Sequence, residues 1–310
     1  MTPGEVVNVA ASVRQRLLNL ARERDESFDR LLQYYAVERF LYRLSLTPWS
    51  DRFIVKGATL LRVWQAPIAR PTRDIDFLAH IDRDPETIAT VVRACLAEDV
   101  EDGLEFSSET ESSSIRVDGQ YPGVRVVIRG HLSGARFRLQ LDVGIGDDAV
   151  PDPAWVDYPT LLAMPAPRIL AYDPATSVAE KLEAIVVLGE GNSRLKDFYD
   201  VWLLATNLAF DGTTLVSAVS ATFRRRGTAL PAEAPTALTD AFAEEEEVLA
   251  GWPRFLAKAG AGMTLELPAV LVLLRDFLLP PAAAALAGRP FESEWPPGGP
   301  WRPAGARTEV

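Results

Sequence analysis

The sequence predicts an α+β protein, with a mixed sheet and flanking helices in its first half and mainly helices in its second. Three observations predict it. Short β-type runs fall between residues 53 and 143. A glycine, Gly57, stands where the first of them must turn. From about Ser177 onward, apolar residues recur at helical spacing. At 310 residues and 48% hydrophobic, the chain can bury one large core or two modest ones. The expected organisation is helices and sheet over residues 1–165, a helical domain over 166–287 and a Pro-rich tail over 288–310.

The elements follow in order. Over residues 5–46, Val13, Leu17, Leu20, Phe28, Leu31, Leu32, Phe40, Leu41 and Leu44 are spaced for a pair of amphipathic helices. Phe53-Ile54-Val55 reads as a strand, and Gly57 permits a tight turn into a helix over Ala58 to Gln65. Pro67 and Pro71 punctuate a loop before Asp74-Ile75-Asp76-Phe77-Leu78, whose alternation reads as a second strand. A helix is expected over Pro85 to Leu96, and strands over Val124 to Ile128 and Phe137 to Val143. Helical spacing then runs through Val178 to Leu188, Lys196 to Ala205 and Thr213 to Phe223. The run Glu244 to Glu247 reads as a solvated helix face. After Gly288, five prolines and few apolar anchors beyond Phe291, Trp295 and Trp301 predict an extended or mobile tail.

Composition narrows the function classes. Cys95 is the only cysteine, so neither an internal disulfide nor a cysteine zinc cluster is available, which fits a reducing cytoplasm. Residues 1–23 lack the apolar block of a secretory signal, and Leu265 to Leu286 is interrupted by Glu266, Pro268, Arg275, Asp276, Pro280 and Pro281. No membrane span is expected. The net charge of −11 opposes nonspecific binding to phosphates, so any RNA must meet a local basic patch. Arg14, Arg16, Arg22 and Arg24 form one candidate, and Arg224, Arg225 and Arg226 another, although each run also reads as a solvated helix face. His80 and His131 have no metal-ligand spacing and read as ordinary structural or surface residues.

The chemistry lies in carboxylates. Side chains alternate across a strand, so Asp74 and Asp76 share a face while Ile75 and Phe77 enter the opposite layer. Two adjacent carboxylates repel, and a divalent cation such as magnesium, which prefers oxygen ligands, lets both stay ionised. By itself Asp-x-Asp is also a common pattern of exposed strands and turns. A third acid, Asp142, ends the alternating run Arg138 to Val143, where it reads either as a partner on a neighbouring strand or as a turn cap. Asp147 and Asp148, after the glycines, read as loop residues.

With Lys56-Gly57-Ala58-Thr59-Leu60-Leu61-Arg62 at a strand-to-helix turn ahead of Asp74-Ile75-Asp76, the chain resembles the polymerase-beta-like nucleotidyltransferase superfamily. The resemblance sharpens at Ser177-Val178-Ala179-Glu180-Lys181-Leu182-Glu183-Ala184 and at Asn192-Ser193-Arg194-Leu195-Lys196-Asp197-Phe198-Tyr199-Asp200. These resemble the two later motifs of the AbiEii family, which includes the MenT-type toxins, and the likeness spans roughly residues 30–205. Family members commonly carry a second glycine or a serine where this chain has Ala58.

The resemblance implies catalysis by Asp74, Asp76, Asp142, Lys181 and Asp197, with Mg2+ on Asp74, Asp76 and Asp142. Asp142 would be both ligand and base. It also implies nucleotide binding by Lys56, Gly57, Ala58, Thr59, Arg62 and Lys181. Backbone N–H groups at a helix start can bind phosphate, and a glycine lets the backbone approach. Asp200 lies three residues after Asp197 and can share its helix face to orient Lys181 or Arg194, which leaves open which aspartate matters more. A plain surface pair between helices is the structural alternative for Lys181 and Asp197. The implied reaction adds nucleotides from an NTP to the 3′ end of tRNA, blocking aminoacylation, with a cognate antitoxin as partner. Nucleotide transfer to a protein hydroxyl and a catalytically silent regulatory module are the competing readings.

Overall fold

The computed structural model describes residues 8–64, 72, 74–82, 84–117, 121–146, 149–191, 194–260 and 264–305. Two compact units divide the chain: among the described residues, 149–153 and those from Tyr172 onward belong to the second and the rest to the first. The predicted loop prolines Pro67 and Pro71, and Asp147, Asp148, Asn192 and Ser193, lie outside the described residues.

The first unit opens with α1 (Val9–Arg24) and α2 (Phe28–Leu46), capped by the side chains of Asn8 and Ser27, which accept from backbone N–H groups of the first turn. Strand β1 (Phe53–Lys56) is buried along its length and ends in a 3₁₀ turn over Gly57–Leu61. The predicted α-helix over Ala58 to Gln65 is therefore absent in its described part. The Thr59 hydroxyl donates to the Asp74 carbonyl at 3.3 Å, which ties this tight turn to the next strand. Then follow β2 (Asp74–Ala79), α3 (Pro85–Leu96), β3 (Leu104–Val117), β4 (Tyr121–Leu132), β5 (Ala135–Ile145), β6 (Ala154–Asp157) and β7 (Arg168–Ala171).

These strands form one sheet in the order β3-β4-β5-β2-β1-β7-β6. Strand β2 runs parallel to β5, and β1 parallel to β7, while the remaining pairs are antiparallel. The mixed sheet predicted from the sequence is present. Strand β3 went unpredicted because it lies at the sheet edge and is rich in serine and glutamate, leaving little apolar alternation to read. Helix α2 packs on β5 and β7, and α3 on β3 and β4.

Helix α2 also carries a buried charge network. Glu38 Oε2 accepts from the Leu161 N–H at 2.7 Å, Arg39 donates to the Pro165 carbonyl at 2.7 Å, and Arg43 forms a two-pronged pair with Asp102. Each buried charge thus has a partner, the condition under which charges are tolerated in a core. Burial pushes the Glu38 carboxyl above its ordinary range.

The second unit contains α4 (Pro174–Leu188), α5 (Leu195–Asn207), β8 (Phe210–Asp211), α6 (Gly212–Arg226), α7 (Asp240–Glu244), α8 (Glu246–Ala259), α9 (Leu267–Ala287), β9 (Ser293–Trp295) and β10 (Arg302–Pro303). By length and composition α9 is the one helix among the described residues apolar enough to cross a membrane. Its Leu267, Val270, Leu271, Leu274, Phe277 and Leu278 are buried, and it packs on α5 and α6 as the central helix of this unit. Pro280 and Pro281 do not end it.

The tail differs from the expectation of an extended or mobile segment. Strands β8, β9 and β10 form a small antiparallel sheet, and the Trp295 ring is 1% exposed. Trp295 Nε1 donates to the Ala205 carbonyl at 2.7 Å, and Trp301 Nε1 to the Phe277 carbonyl at 3.0 Å. Trp301 stacks on Phe277, Trp295 meets it at a tilt of 54°, and Phe291 meets Trp301 edge-on. Three large rings, two of them with satisfied indole N–H groups, therefore anchor a segment whose average composition is that of a linker.

Candidate active site

Strand register builds the first cluster. Lys56 of β1 pairs with Asp76 of β2, Asp76 with Asp142 of β5, and Asp142 with Arg125 of β4. Residues opposite one another share a face, so four adjacent strands present one row of base, acid, acid and base. Asp74 lies two residues before Asp76 on the same face, opposite Gln140.

Within this row Asp142 is gripped from the side. Arg125 donates Nε to Asp142 Oδ1 at 2.7 Å and a terminal nitrogen to Oδ2 at 2.7 Å, and Gln140 Nε2 donates to Oδ2 at 3.4 Å. The fork-to-carboxylate geometry is the strong, orienting form of such a pair. The Arg125 guanidinium holds its proton more tightly than usual, first through the Asp142 hydrogen bond and also through the charges of Asp142, Asp74 and Asp76. Sequence reading passed over Arg125. Its signal was the hairpin turn at Ser133-Gly134, from which counting back pairs Arg125 with Asp142.

Gly57 has a definite reason to be glycine. Its φ is +70°, and a Cβ there would lie 2.2 Å from Asp76 Oδ2. The space that a side chain would fill is thus taken by the Asp76 carboxylate. Its neighbours are inward-facing: Ala58 and Thr59 are buried, and the Thr59 hydroxyl is committed to Asp74. Lys56 is also buried, and the Arg62 guanidinium lies over the Tyr34 ring at 4.6 Å, on the α2 side of the unit.

The donor set suits a hard divalent ion, because Asp74 and Asp76 offer carboxylate oxygens on one face with Asp142 in register beside them. Among the described residues, however, no three acidic, histidine or cysteine side chains are already gathered round one point. Asp142 is turned to Arg125.

The second cluster lies in the helical unit. Lys181 of α4 donates to Asp197 Oδ1 at 2.9 Å and to Asp200 Oδ2 at 2.8 Å, and Arg194 donates to Asp197 Oδ2 at 2.7 Å. Asp197 and Asp200 are 1% and 0% exposed, against 14% for Lys181 and 26% for Arg194. Two buried carboxylates from one turn of α5 thus hold two cations whose side chains stay partly in solvent. Asp197 bridges both cations, whereas Asp200 is bonded to Lys181.

Arg224, Arg225 and Arg226 end α6. Arg225 pairs with Glu180 at 2.9 Å, and Arg226 with Glu183 at 2.6 Å and Glu180 at 3.5 Å. Two of the three charges are therefore balanced by α4, and the run is a helix-to-helix bracket more than an open basic patch. Arg224 remains exposed.

The model of the family described as "Nucleotidyl transferase AbiEii toxin, Type IV TA system" matches residues 39–279. No curated protein matches the chain. Among solved structures, JHP933 from Helicobacter pylori aligns at 16% identity and a TM-score of 0.46, over 84% of this chain and 98% of its own. A candidate nucleotidyltransferase from H. pylori aligns at 15% identity and a TM-score of 0.45, with the same coverage.

Proposed function

Because the chain belongs to the AbiEii family of nucleotidyltransferase toxins of type IV toxin–antitoxin systems, we propose that it adds nucleotides to the 3′ end of tRNA. The added nucleotides block aminoacylation and hence translation. The observation that carries the reading is Asp74 and Asp76 on one face of β2, with Gly57 opening its turn to the Asp76 carboxylate. Asp74 and Asp76 would hold Mg2+, with Asp142 joining them. When bound, the ion neutralises charge on the triphosphate and its leaving pyrophosphate.

The chain's own residues do the rest. Asp142 accepts the proton of the attacking hydroxyl. Lys181 meets the nucleotide's phosphates, with Asp197 and Asp200 fixing its ammonium group. Lys56 and the turn from Gly57 to Thr59 add charge and backbone donors on the nucleotide side, positioning more than bond-making. The family implies an NTP substrate and an antitoxin partner. With tRNA as acceptor, the reaction belongs in the cytoplasm.

Purified protein incubated with each labelled NTP, Mg2+ and total tRNA tests this, with Asp76→Ala as control. Label is expected in RNA only when Asp76 is intact. Label confined to protein would replace the reading with protein nucleotidylation, and no transfer under any NTP would replace it with a catalytically silent module.

A further inference from the structure

We propose that Arg125 is a latch on the carboxylate row: it holds Asp142 as a tethered counter-ion that a divalent cation must displace before all three aspartates can bind metal. The inference rests on the reading of Asp74 and Asp76 as the metal site.

Register makes the argument. Asp142 stands between Asp76 on one side and Arg125 on the other, so its carboxylate can serve either neighbour. Arg125 takes one acceptor site on each oxygen at 2.7 Å, and Gln140 Nε2 draws on Oδ2 at 3.4 Å. The Arg125 side chain is 38% exposed against 13% for Asp142, so the arginine is the partner with more contact to solvent when the pair opens. Asp74 and Asp76 strengthen the arginine's electrostatic hold by adding negative charge nearby. Metal binding by all three acids therefore requires the Arg125 pair to open first, and apparent affinity is reduced by the fraction of molecules in which it is closed. Arg125 is accordingly a positioning residue. It sets how many carboxylates a metal meets in the nucleotide-free protein.

The test is Mn2+ affinity of the full chain without nucleotide, read by electron paramagnetic resonance of free Mn2+. Arg125→Gln should bind Mn2+ about tenfold more tightly than the unaltered chain, as expected for a pair closed in about nine molecules of ten. Arg125→Lys keeps the charge but loses the two-pronged fork, so it should gain part of that affinity. The gain should vanish when Asp142→Asn is combined with Arg125→Gln. A gain that persists in the double variant would reduce Arg125 to a general field effect and overturn the latch. Unchanged or weaker binding in both Arg125 variants, with Asp76→Asn still abolishing binding, would overturn the latch and leave the metal site standing. Binding that is absent throughout, or indifferent to Asp76→Asn, would overturn the metal site and the latch with it.

Discussion

The sheet unit and the helical unit solve the same problem, holding like charges side by side, in different ways. In the sheet, Lys56, Asp76, Asp142 and Arg125 come from four strands and meet through register, with Asp74 one step along. In the helical unit, Asp197 and Asp200 come from one turn of one helix, and each bonds Lys181 while Asp197 also holds Arg194. The first cluster has three acids to two bases and half-buried carboxylates at Asp74 and Asp76, a surplus suited to receiving a cation. The second is balanced two to two over fully buried carboxylates. One cluster carries an excess of acid and the other matches its acids with bases.

The contrast predicts opposite signatures for similar substitutions. Asp76→Asn should lower nucleotide transfer by about 10²–10³-fold, the scale of losing a charge-stabilising group, while thermal unfolding stays near that of the unaltered chain. Asp197→Asn should lower activity as well, but with a stability loss of about 3–5 kcal/mol, because it strips one partner from a buried ionic group. Chemical denaturation beside a transfer assay separates them. Equal stability losses in the two variants would erase the distinction between a receiving cluster and a balanced one.

Trp295→Ala measures how far the helical unit depends on its last segment. Loss of a buried tryptophan and its bond to Ala205 should cost about 3–5 kcal/mol by denaturant titration. An effect near zero would return the segment to the mobile tail that its composition suggests. Gly57→Ala acts on the sheet unit alone. Strain at positive φ should cost about 1–2 kcal/mol, and the displaced Asp76 carboxylate should lower Mn2+ affinity as well as transfer. Normal metal affinity in that variant would separate Gly57 from the acid row.

The smallest effect concerns Cys95 of α3, a buried thiol that burial pushes up to about 12. It is protonated and shielded at neutral pH, so iodoacetamide at pH 8 should leave it unmodified until denaturant unfolds the sheet unit. Rapid labelling of the native chain would show that α3 opens locally.

Legibility in the sequence followed the range of the interaction. Asp74 with Asp76, and Asp197 with Asp200, are two and three residues apart, and strand and helix periodicity alone puts each pair on one face. Helices α1 to α3 were readable for the same reason, since amphipathic spacing is a local property. The tail misled because its prolines dominate its composition, while three well-placed rings decide its packing. The arginine run marks the limit of local reading, because helix spacing cannot reveal that α4 brings Glu180 and Glu183 to Arg225 and Arg226.

By itself, then, the sequence determined the α+β class, the paired carboxylates of each cluster, and the family through its motifs. Tertiary structure alone decided that the turn after β1 is 3₁₀, that Asp76 fills the space beside Gly57, and that Arg62 lies over Tyr34. The physical reason is chain separation. A side chain's face is set by its own residue's backbone angles, but its partner is set by strand register and helix packing, which depend on every other residue competing for the same core.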